Sequence, residues 1–312
     1  MKAYLVDGTY ELFRHYFGAP PHRTAAGEQV GATRAVLGSL LGMLEDGVTH
    51  MAVATDHVIE SWRNDAWPTY KSSAGVPEDL LSQFPLFEEA LAAMGLLVWP
   101  MTELEADDAL ASGAAVLYDD DRVTQVLICT PDKDLGQCVR GQRVVCLDRR
   151  KGVVVDEDGV RAKFGVGPES VPDWLALVGD SADGYPGLSG WGAKTATIVL
   201  ARYGSIEAIP ASAAAWDIAA LSTSRVVSLA ATLRAGQDLA LLFKKLATCV
   251  VDRAILPAGA GALDSLEWQG PGAGFTAMCE RLDAPALGDR AGRLAARRLA
   301  LRQSQAPRPG HS

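Results

Sequence analysis

Carboxylate side chains occur in this sequence in short clusters that follow apolar runs. Glu105, Asp107 and Asp108 stand close together, and Asp132 and Asp134 flank one lysine. Oxygen ligands of this kind suit Mg²⁺ or Mn²⁺, and two such ions together can promote hydrolysis of a phosphodiester. The candidate ligands are Asp7, Asp56, Glu105, Asp107, Asp108, Asp132, Asp134, Asp180 and Asp183. We therefore predict a site for two or more divalent cations.

Each acidic cluster also has a simpler explanation when it is taken alone. Acidic residues in the first turn of a helix interact favourably with the helix dipole, which would account for Glu105 and Asp108. Asp7 and Asp56 could be turn residues. Several carboxylates at one place repel each other, however, and persist where cations lie between them. Convergence of the clusters in space would favour the metal site.

A second segment with chemical potential covers residues 61–74. It combines Arg63 and Lys71 with the aromatic residues Trp62, Trp67 and Tyr70. A guanidinium and an ammonium suit phosphate oxygens, and aromatic rings can stack on bases. The alternative is a solvated surface loop, which the spacing alone favours slightly.

A glycine-rich stretch follows the last acidic pair. Gly187, Gly190 and Gly192 precede Lys194 and Thr195 at the predicted start of a helix. Backbone N–H groups at a helix start can hold a phosphate. The spacing differs from that of a P-loop, and an ordinary turn between helices explains it equally well.

Alternating strands and helices must position these residues. We predict strands at residues 3–6, 51–54, 96–99, 123–129 and 143–147, a hairpin strand at 151–155 and a possible strand at 246–251. We predict helices at 9–17, 31–44, 77–94, 105–118, 132–139, 156–164, 170–178, from about 193 to 243 and at 289–302, with a disordered tail at 303–312. This order indicates a parallel sheet, whose ligands bind beyond the carboxyl ends of the strands. Asp7, Asp56 and Asp132 should therefore meet at one edge.

Composition limits the class of protein. The chain has 312 residues, is 48% hydrophobic and carries a net charge of −9. A negative charge argues against a nucleic-acid partner, but bound cations would offset it locally. The five cysteines show no C-x-x-C spacing, so we expect reduced thiols and a cytoplasmic location. The early charges exclude a typical signal peptide, and we expect no membrane-spanning segment and a monomer.

The order and spacing of these motifs resemble those of the bacterial 5′-nuclease family, which includes the exonuclease domain of DNA polymerase I, phage 5′ exonucleases and flap endonucleases. The similar stretches are Leu5-Val6-Asp7-Gly8, Arg63 with Tyr70-Lys71, Val76-Pro77-Glu78-Asp79-Leu80, Glu105-Ala106-Asp107-Asp108, Asp132-Lys133-Asp134-Leu135 and Gly179-Asp180-Ser181-Ala182-Asp183, followed by Pro186-Gly187, Gly190-Trp191-Gly192 and Lys194-Thr195-Ala196. The resemblance covers about residues 1–251. It implies an α/β PIN-like nuclease domain with a parallel sheet (1–165), an α-helical helix-three-turn-helix DNA-binding region (166–250) and a C-terminal extension with a basic helix and a disordered tail (251–312). Within the first domain, residues from about 61 to 77 would form part of a helical arch that admits the 5′ strand.

The resemblance also implies roles for individual residues. A first cation would be held by Asp7, Asp56, Glu105 and Asp107, and a second by Asp132, Asp134, Asp180 and Asp183, with Asp108 assisting. Lys71 and Arg63 would contact the scissile phosphate and would be catalytic together with Asp107 and Asp108. Tyr70 would stack on a displaced base, and Arg14 would lie near the active site. The loop with Gly187, Gly190, Gly192, Lys194 and Thr195 would hold duplex DNA and a K⁺ ion.

Three positions depart from the pattern of the family. Ala74 stands where an arginine usually follows the Tyr-Lys pair, Pro131 precedes Asp132 where glycine is usual, and Gly184 replaces an asparagine. No carboxylate is lost. We therefore expect a stand-alone 5′–3′ exonuclease and flap endonuclease that acts on DNA with a 5′ flap or a 5′ end at a duplex junction, in replication and repair.

Two other functions stay open at this point. Loss of the phosphate contact at Ala74 could leave a DNA-binding protein of the same fold with weakened catalysis. Asp7-Gly8-Thr9 is typical of haloacid-dehalogenase-type phosphatases, but the nucleophile of that family should stand two residues earlier, where this chain has Leu5.

Overall fold

A six-stranded sheet forms the centre of the first half of the chain, in the computed structural model that describes residues 1–257, 259 and 262–305. Its strands are β1 (Lys2–Asp7), β2 (His50–Asp56), β3 (Leu97–Met101), β4 (Gln125–Cys129), β5 (Val144–Asp148) and β6 (Val153–Val155). They are arranged in the order β3-β2-β1-β4-β5-β6. The first five are parallel, and β6 pairs with β5 as the predicted antiparallel hairpin. The chain therefore places β1 and β4 side by side at the centre.

Helices cover both faces of the sheet, as a parallel sheet requires. The helices of this half are α1 (Gly8–Gly18), α2 (Gly31–Glu45), α3 (Trp62–Ala66), α4 (Glu78–Leu81), α5 (Gln83–Ala93), α6 (Ala106–Tyr118) and α7 (Glu157–Phe164). Neighbouring strand residues point to opposite cores: Leu5 packs with α6, and Val6 packs with α1, α2 and α5. The continuous burial of β2 follows from this double cover.

Four helices form the second, helical region: α8 (Val171–Val178), α9 (Ala193–Tyr203), α10 (Thr223–Ala235) and α11 (Gln237–Ala247). The strand predicted at 246–251 is wrong. α11 continues to Ala247, and the extended chain that follows bonds to side chains: Cys249 N donates to Gln137 Oε1 at 2.9 Å and Val250 N donates to Asp108 Oδ1 at 2.7 Å. The chain after α11 is therefore extended, but side-chain acceptors take the place of a neighbouring strand.

The C-terminal residues fold back onto the helices on one face of the sheet through α12 (Phe275–Arg281) and α13 (Pro285–Gln305), which pack on α5 and α2. Trp268 is fully buried there, and its indole nitrogen donates to Met94 O at 2.8 Å. Arg290 pairs with Glu45 at 2.6 Å. The predicted basic helix is thus longer and docked. Of the predicted disordered tail, residues 303–305 belong to α13 and 306–312 lie outside the described residues.

Residues 61–77, which we predicted to form part of a helical arch, contain the five-residue α3 followed by turns. Tyr70 turns inward and is 4% exposed. The segment is therefore packed against the domain rather than raised above it. No single helix in the described part of the chain is long and apolar enough to cross a membrane, although α10 and α11, bent at 77°, pass that test as a pair.

Candidate active site

The carboxyl edge of the sheet gathers the predicted acidic residues. Asp7 ends β1, Asp56 ends β2, and Asp132 follows β4, which lies directly beside β1. Glu105 precedes α6, which begins after β3. This is the point where the strand order reverses, and α/β sheets bind ligands there. The acidic residues therefore converge at one edge of the sheet, which favours the metal site over independent helix caps and turns.

Backbone and hydroxyl donors fix the first two carboxylates. Asp7 accepts hydrogen bonds from Tyr10 N at 2.8 Å and from Thr130 Oγ1 at 2.9 Å. Asp56 accepts one from Ala106 N at 2.6 Å, which ties the end of β2 to the start of α6. Both side chains are therefore held in place before any ligand arrives.

The electrostatics of the edge are those of crowded, desolvated carboxylates. Burial raises the pKa of Asp7 to about 7, and the neighbouring Asp56 adds to the shift, although the Tyr10 N–H opposes it. Burial and the charge of Asp132 raise the pKa of Asp107 and that of Asp134 well above their ordinary values. Such a group is stabilised by added positive charge, as a cation site requires.

One set of three carboxylates has the spacing for a single ion. Asp134, Asp180 and Asp183 each offer an oxygen, and these atoms lie within 4.8 Å of one another. Asp134 Oδ1 is buried and has no hydrogen-bond partner. A buried acceptor without a donor is costly, and a cation would satisfy it. These residues fit a divalent metal ion.

The other predicted ligands line the same edge more loosely. Among the described residues, no three of Asp7, Asp56, Glu105, Asp107 and Asp132 bring oxygens this close together. Asp132 is exposed, and its Oδ1 accepts a hydrogen bond from Asp134 N at 2.8 Å. The structure therefore brings one set of ligands, Asp134, Asp180 and Asp183, to the spacing of a cation site. The cation site formed by Asp7, Asp56, Glu105 and Asp107 stays a prediction.

Two lysines supply positive charge within the site. The Nζ of Lys71 lies 2.8 Å from Glu105 Oε2 and 3.7 Å from Asp183 Oδ1, so that it bridges the two groups of carboxylates. Lys133 pairs with Asp180 and lies 3.8 Å from Asp134 Oδ1. The predicted contact of Lys71 with the scissile phosphate stays a prediction. The sequence analysis gave Lys133 no role, although its position between Asp132 and Asp134 was the available signal.

Arg63 and Asp108 form a buried ion pair, which contradicts the roles predicted for both. The predicted phosphate contact of Arg63 is wrong because the residue is 2% exposed and its guanidinium binds both oxygens of Asp108 at 2.8 Å. Asp108 is fully buried and also accepts from Glu105 N at 3.1 Å, as a helix cap does. Neither group is free to reach a substrate or a cation. For Asp108 the capping interpretation holds.

Tyr70 also differs from its predicted role. The ring is buried, its hydroxyl lies 3.4 Å from Glu105 Oε2, and Lys71 Nζ lies 5.7 Å from the ring centre. A base cannot stack on it in this conformation. The residue instead supports Glu105 and Lys71 from below. Ser61, which sequence reasoning missed, donates to Glu105 Oε1 at 2.6 Å.

The glycine loop is shaped by a close approach of two backbone segments. Gly187 has φ 70°, and a Cβ there would lie 2.4 Å from the nitrogen of Gly179. Gly190, Gly192 and Lys194 are exposed at the start of α9, which has no side-chain cap. Those N–H groups are therefore available to an anion.

A basic residue that the sequence did not reveal joins this loop. Arg225, at the start of α10, donates to Gly190 O at 2.6 Å and lies 3.4 Å from Thr195 Oγ1. Since thirty residues separate Arg225 from Thr195, no local pattern could have found it. Arg225 therefore occupies one carbonyl oxygen of the loop, that of Gly190, and the predicted K⁺ site stays a prediction.

Arg14 is held by a buried glutamate. Its guanidinium lies 2.5 Å from Glu11, which also binds Arg149 at 2.8 Å. Glu11 is 1% exposed, whereas the side chain of Arg14 is 27% exposed. A contact of Arg14 with DNA stays a prediction.

Comparisons with known proteins identify the family of the chain. Residues 2–165 match the family described as "5′-3′ exonuclease, N-terminal resolvase-like domain", and residues 166–271 match "5′-3′ exonuclease, C-terminal SAM fold". The 5′-3′ exonuclease of Aquifex aeolicus is 33% identical over 208 residues, which cover 66% of this chain and 71% of that protein. DNA polymerase I of Pseudomonas aeruginosa is 34% identical over 251 residues, which cover 80% of this chain but only 27% of the polymerase.

Two solved structures share the whole fold. The T5 D15 protein co-crystallised with metal ions superposes with a TM-score of 0.61 at 15% identity, covering 94% of this chain and 98% of that one. Flap endonuclease-1 from Methanococcus jannaschii superposes with a TM-score of 0.60 at 14% identity, covering 95% and 93%. The two family matches, together with the Aquifex relative, show that this chain belongs to the 5′-3′ exonuclease family.

Proposed function

We propose that this protein is a structure-specific 5′ nuclease, acting as a 5′-3′ exonuclease and flap endonuclease on DNA, with Mg²⁺ or Mn²⁺ as its cofactor. The buried Oδ1 of Asp134, which accepts no hydrogen bond and lies beside Asp180 and Asp183, carries this proposal. It lies at the sheet edge that also holds Asp7 and Asp56. The names of relatives, among them a 5′-3′ exonuclease and a flap endonuclease, support the same activity. A place in DNA replication and repair is part of the proposal.

The residues of this chain have distinct tasks in that reaction. Asp134, Asp180 and Asp183 would hold one cation, and Asp7, Asp56, Glu105 and Asp107 would hold another. Bound divalent cations lower the pKa of water and offset charge on a phosphate. A phosphate oxygen that enters between Glu105 and Asp183 meets the Lys71 ammonium, which offsets charge that develops during hydrolysis.

Binding of the DNA would use the helical region. The exposed N–H groups at the start of α9, with Lys194 and Arg225 beside them, suit the backbone phosphates of a duplex. The same loop is our proposed site for K⁺. A neighbouring structure that contains DNA substrate, the catalytic core of Rad2, supports DNA as the partner. We also propose that the protein works as a monomer in the cytoplasm, a compartment consistent with its five free cysteines.

The haloacid-dehalogenase-type alternative lacks its nucleophile. The position of its nucleophile is Leu5, which is completely buried in the core. A DNA-binding protein with weakened catalysis remains the outcome to be tested, since Ala74 is exposed and offers no phosphate contact.

The test uses an end-labelled 5′-flap duplex and a matched single-stranded DNA, each incubated with the protein in Mg²⁺, in Mn²⁺ or in EDTA. We expect cation-dependent release of the flap at the junction and a product with a 5′-phosphate. If the protein binds the DNA in a gel-shift measurement but cleaves it under none of these conditions, the protein is a DNA-binding protein and the proposed nuclease activity is wrong. Cleavage that continues in EDTA would remove the metal site from the mechanism.

A further inference from the structure

A cavity of about 270 Å³ lies between α6, the 3₁₀ helix Asp134–Cys138 and the chain that follows α11. Two cysteines from distant parts of the sequence line it, Cys138 at the end of the 3₁₀ helix and Cys249 after α11. Cys138 is partly exposed, whereas Cys249 is 6% exposed. The active site described above uses neither thiol.

The side chain of Gln137 clamps the two segments together. Its Oε1 accepts a hydrogen bond from Cys249 N at 2.9 Å, and its Nε2 donates to Ala247 O at 2.9 Å and to Asp134 O at 2.8 Å. The backbone of Cys249 is therefore held against the residue that precedes Cys138. Such a clamp brings the two side chains into the same small volume.

Both thiols line this cavity, and each therefore belongs to the surroundings of the other. The neighbouring Cys138 thiol and burial both raise the pKa of Cys249 well above its ordinary value. The remaining cysteines are engaged elsewhere or lie on the other face. Cys146, for example, donates to Leu135 O at 3.4 Å. Two sulfur ligands without a third give a dithiol rather than a zinc site.

We propose that Cys138 and Cys249 are a redox-modification site that forms a reversible disulfide when the protein meets a small disulfide of the glutathione class. Cys138 is the residue that such a reagent can reach. Its thiolate attacks one sulfur of the small disulfide, forms a mixed disulfide and releases one small thiol. Cys249, after losing its proton, then attacks the sulfur of Cys138 and releases the second. Two protein thiols thus lose two protons and two electrons, which reduce the small disulfide to two thiols.

The bond would join two elements that matter to the active site. The 3₁₀ helix begins at Asp134, a predicted cation ligand, and the chain after α11 holds the buried Asp108 through Val250 N at 2.7 Å. A covalent link would fix the helical region to the nuclease sheet beside Asp134. This effect on cleavage rests on the proposed function, whereas formation of the disulfide does not.

The test treats the full-length protein with oxidised glutathione and alkylates the remaining thiols before peptide mapping by mass spectrometry. We expect a Cys138–Cys249 cross-linked peptide, the loss of two of the five free thiols, and recovery of both by dithiothreitol. Cys129, Cys146 and Cys279 should remain free thiols during oxidation and should therefore be found alkylated. Five alkylated cysteines after oxidation, or a cross-link from Cys138 to Cys146, would overturn the proposal.

Two variants separate the steps. Cys249→Ser should stop at a mixed glutathione adduct on Cys138, and Cys138→Ser should form neither adduct nor cross-link. Cys279→Ser, which alters a cysteine packed on the other face of the sheet, should behave like the unaltered protein. Flap cleavage by oxidised and reduced protein, compared with Cys249→Ser treated in the same way, then measures the effect on activity. If no form cleaves DNA, the proposed function fails while the peptide map still decides the disulfide.

Discussion

The guanidinium of Arg63 binds both carboxylate oxygens of Asp108 at 2.8 Å, and the two side chains are 3% and 0% exposed. Arg63 also donates to Leu246 O at 2.8 Å and to Thr248 O at 3.2 Å. One arginine therefore connects α3, the first turn of α6 and the end of α11. The pair joins the helical region to the nuclease domain at the turn of α6 that also carries Asp107.

The Arg63→Ala variant should unfold at a markedly lower urea concentration than the unaltered protein. Removal of one partner leaves Asp108 buried without its counter-charge, and losses of about 3–5 kcal/mol in the free energy of unfolding are usual for such changes. Urea unfolding measures this loss. Lys71→Met is the matched comparison, because Lys71 is partly exposed and should affect cleavage more than stability. A stable Arg63→Ala protein with greatly reduced turnover would return Arg63 to the predicted phosphate contact.

Lys133→Met should raise the affinity of the site for a divalent cation. The ammonium of Lys133 pairs with Asp180 and lies 3.8 Å from Asp134, so an arriving cation must compete with it. We expect the Kd for Mn²⁺ to fall roughly 3- to 10-fold, as measured by electron paramagnetic resonance of free Mn²⁺.

Lys151→Met provides the control for that measurement. Lys151 pairs with Asp148 at 3.1 Å, at the end of β5, and its side chain is 70% exposed. Its removal should leave the Kd unchanged. Equal Kd values for the Lys133→Met and unaltered proteins would show that the Lys133 ammonium does not compete with a divalent cation for these carboxylates.

Removal of cations should lower the melting temperature most at high pH. The folded-state pKa of Asp7 is raised to about 7, and the unfolded value is about 3.9. A raised pKa contributes stability that is complete below about pH 4 and is lost as pH rises through about 7. The protein in EDTA should therefore lose stability between these limits, and Mg²⁺ should restore it.

Thermal unfolding at pH 5.5 and at pH 8, each with Mg²⁺ and with EDTA, checks this expectation. The gain in Tm from Mg²⁺ should be larger at pH 8, because protons no longer compete for the carboxylates. Asp7→Asn should reduce the difference between the two pH values. A gain that does not depend on pH would contradict the assignment of these carboxylates to a cation site.

Trp268→Ala should destabilise the protein without slowing catalysis by the molecules that remain folded. The indole is completely buried, bonds to Met94 O, and lies 5.1 Å beneath the guanidinium of Arg298. Truncation of a buried tryptophan costs about 3–5 kcal/mol. Urea unfolding and the cleavage rate at saturating DNA measure the two effects.

Arg293→Ala is the companion variant, since Arg293 is exposed on the same C-terminal helix. It should change stability by less than about 0.5 kcal/mol and leave DNA affinity unchanged. Weaker DNA binding by this variant would assign α13 to the DNA interface instead of to the support of α2.

The sequence predicted the acidic edge because its signal is local. Asp7, Asp56 and Asp132 each follow an apolar run, and a parallel sheet brings the ends of such runs together. The start of α9 at Ala193 was likewise marked by the preceding glycines. These features depend on residues that are close in sequence or on the general geometry of the fold.

The burial of Arg63 and Tyr70 could not be predicted in this way. Arg63 finds Asp108 forty-five residues away and Leu246 O one hundred and eighty-three residues away, and nothing in the segment 61–74 indicates either partner. The docking of α13 depends on Glu45 and Trp268 in the same manner. Tertiary partners decided whether these polar residues face a substrate or the core.

The role of Asp134 as a cation ligand is tested by the rate of flap release by Asp134→Asn at several Mg²⁺ concentrations. DNA affinity of the same variant is measured in EDTA. Asn keeps the shape of the side chain but removes the charge that the cation needs, and Asp158→Asn, at an exposed position in α7, is the control. We predict that Asp134→Asn binds the flap DNA as tightly as the unaltered protein and cleaves it at least about 100-fold more slowly at any Mg²⁺ concentration. Cleavage at a near-normal rate would contradict the claim that Asp134 holds a cation required for hydrolysis.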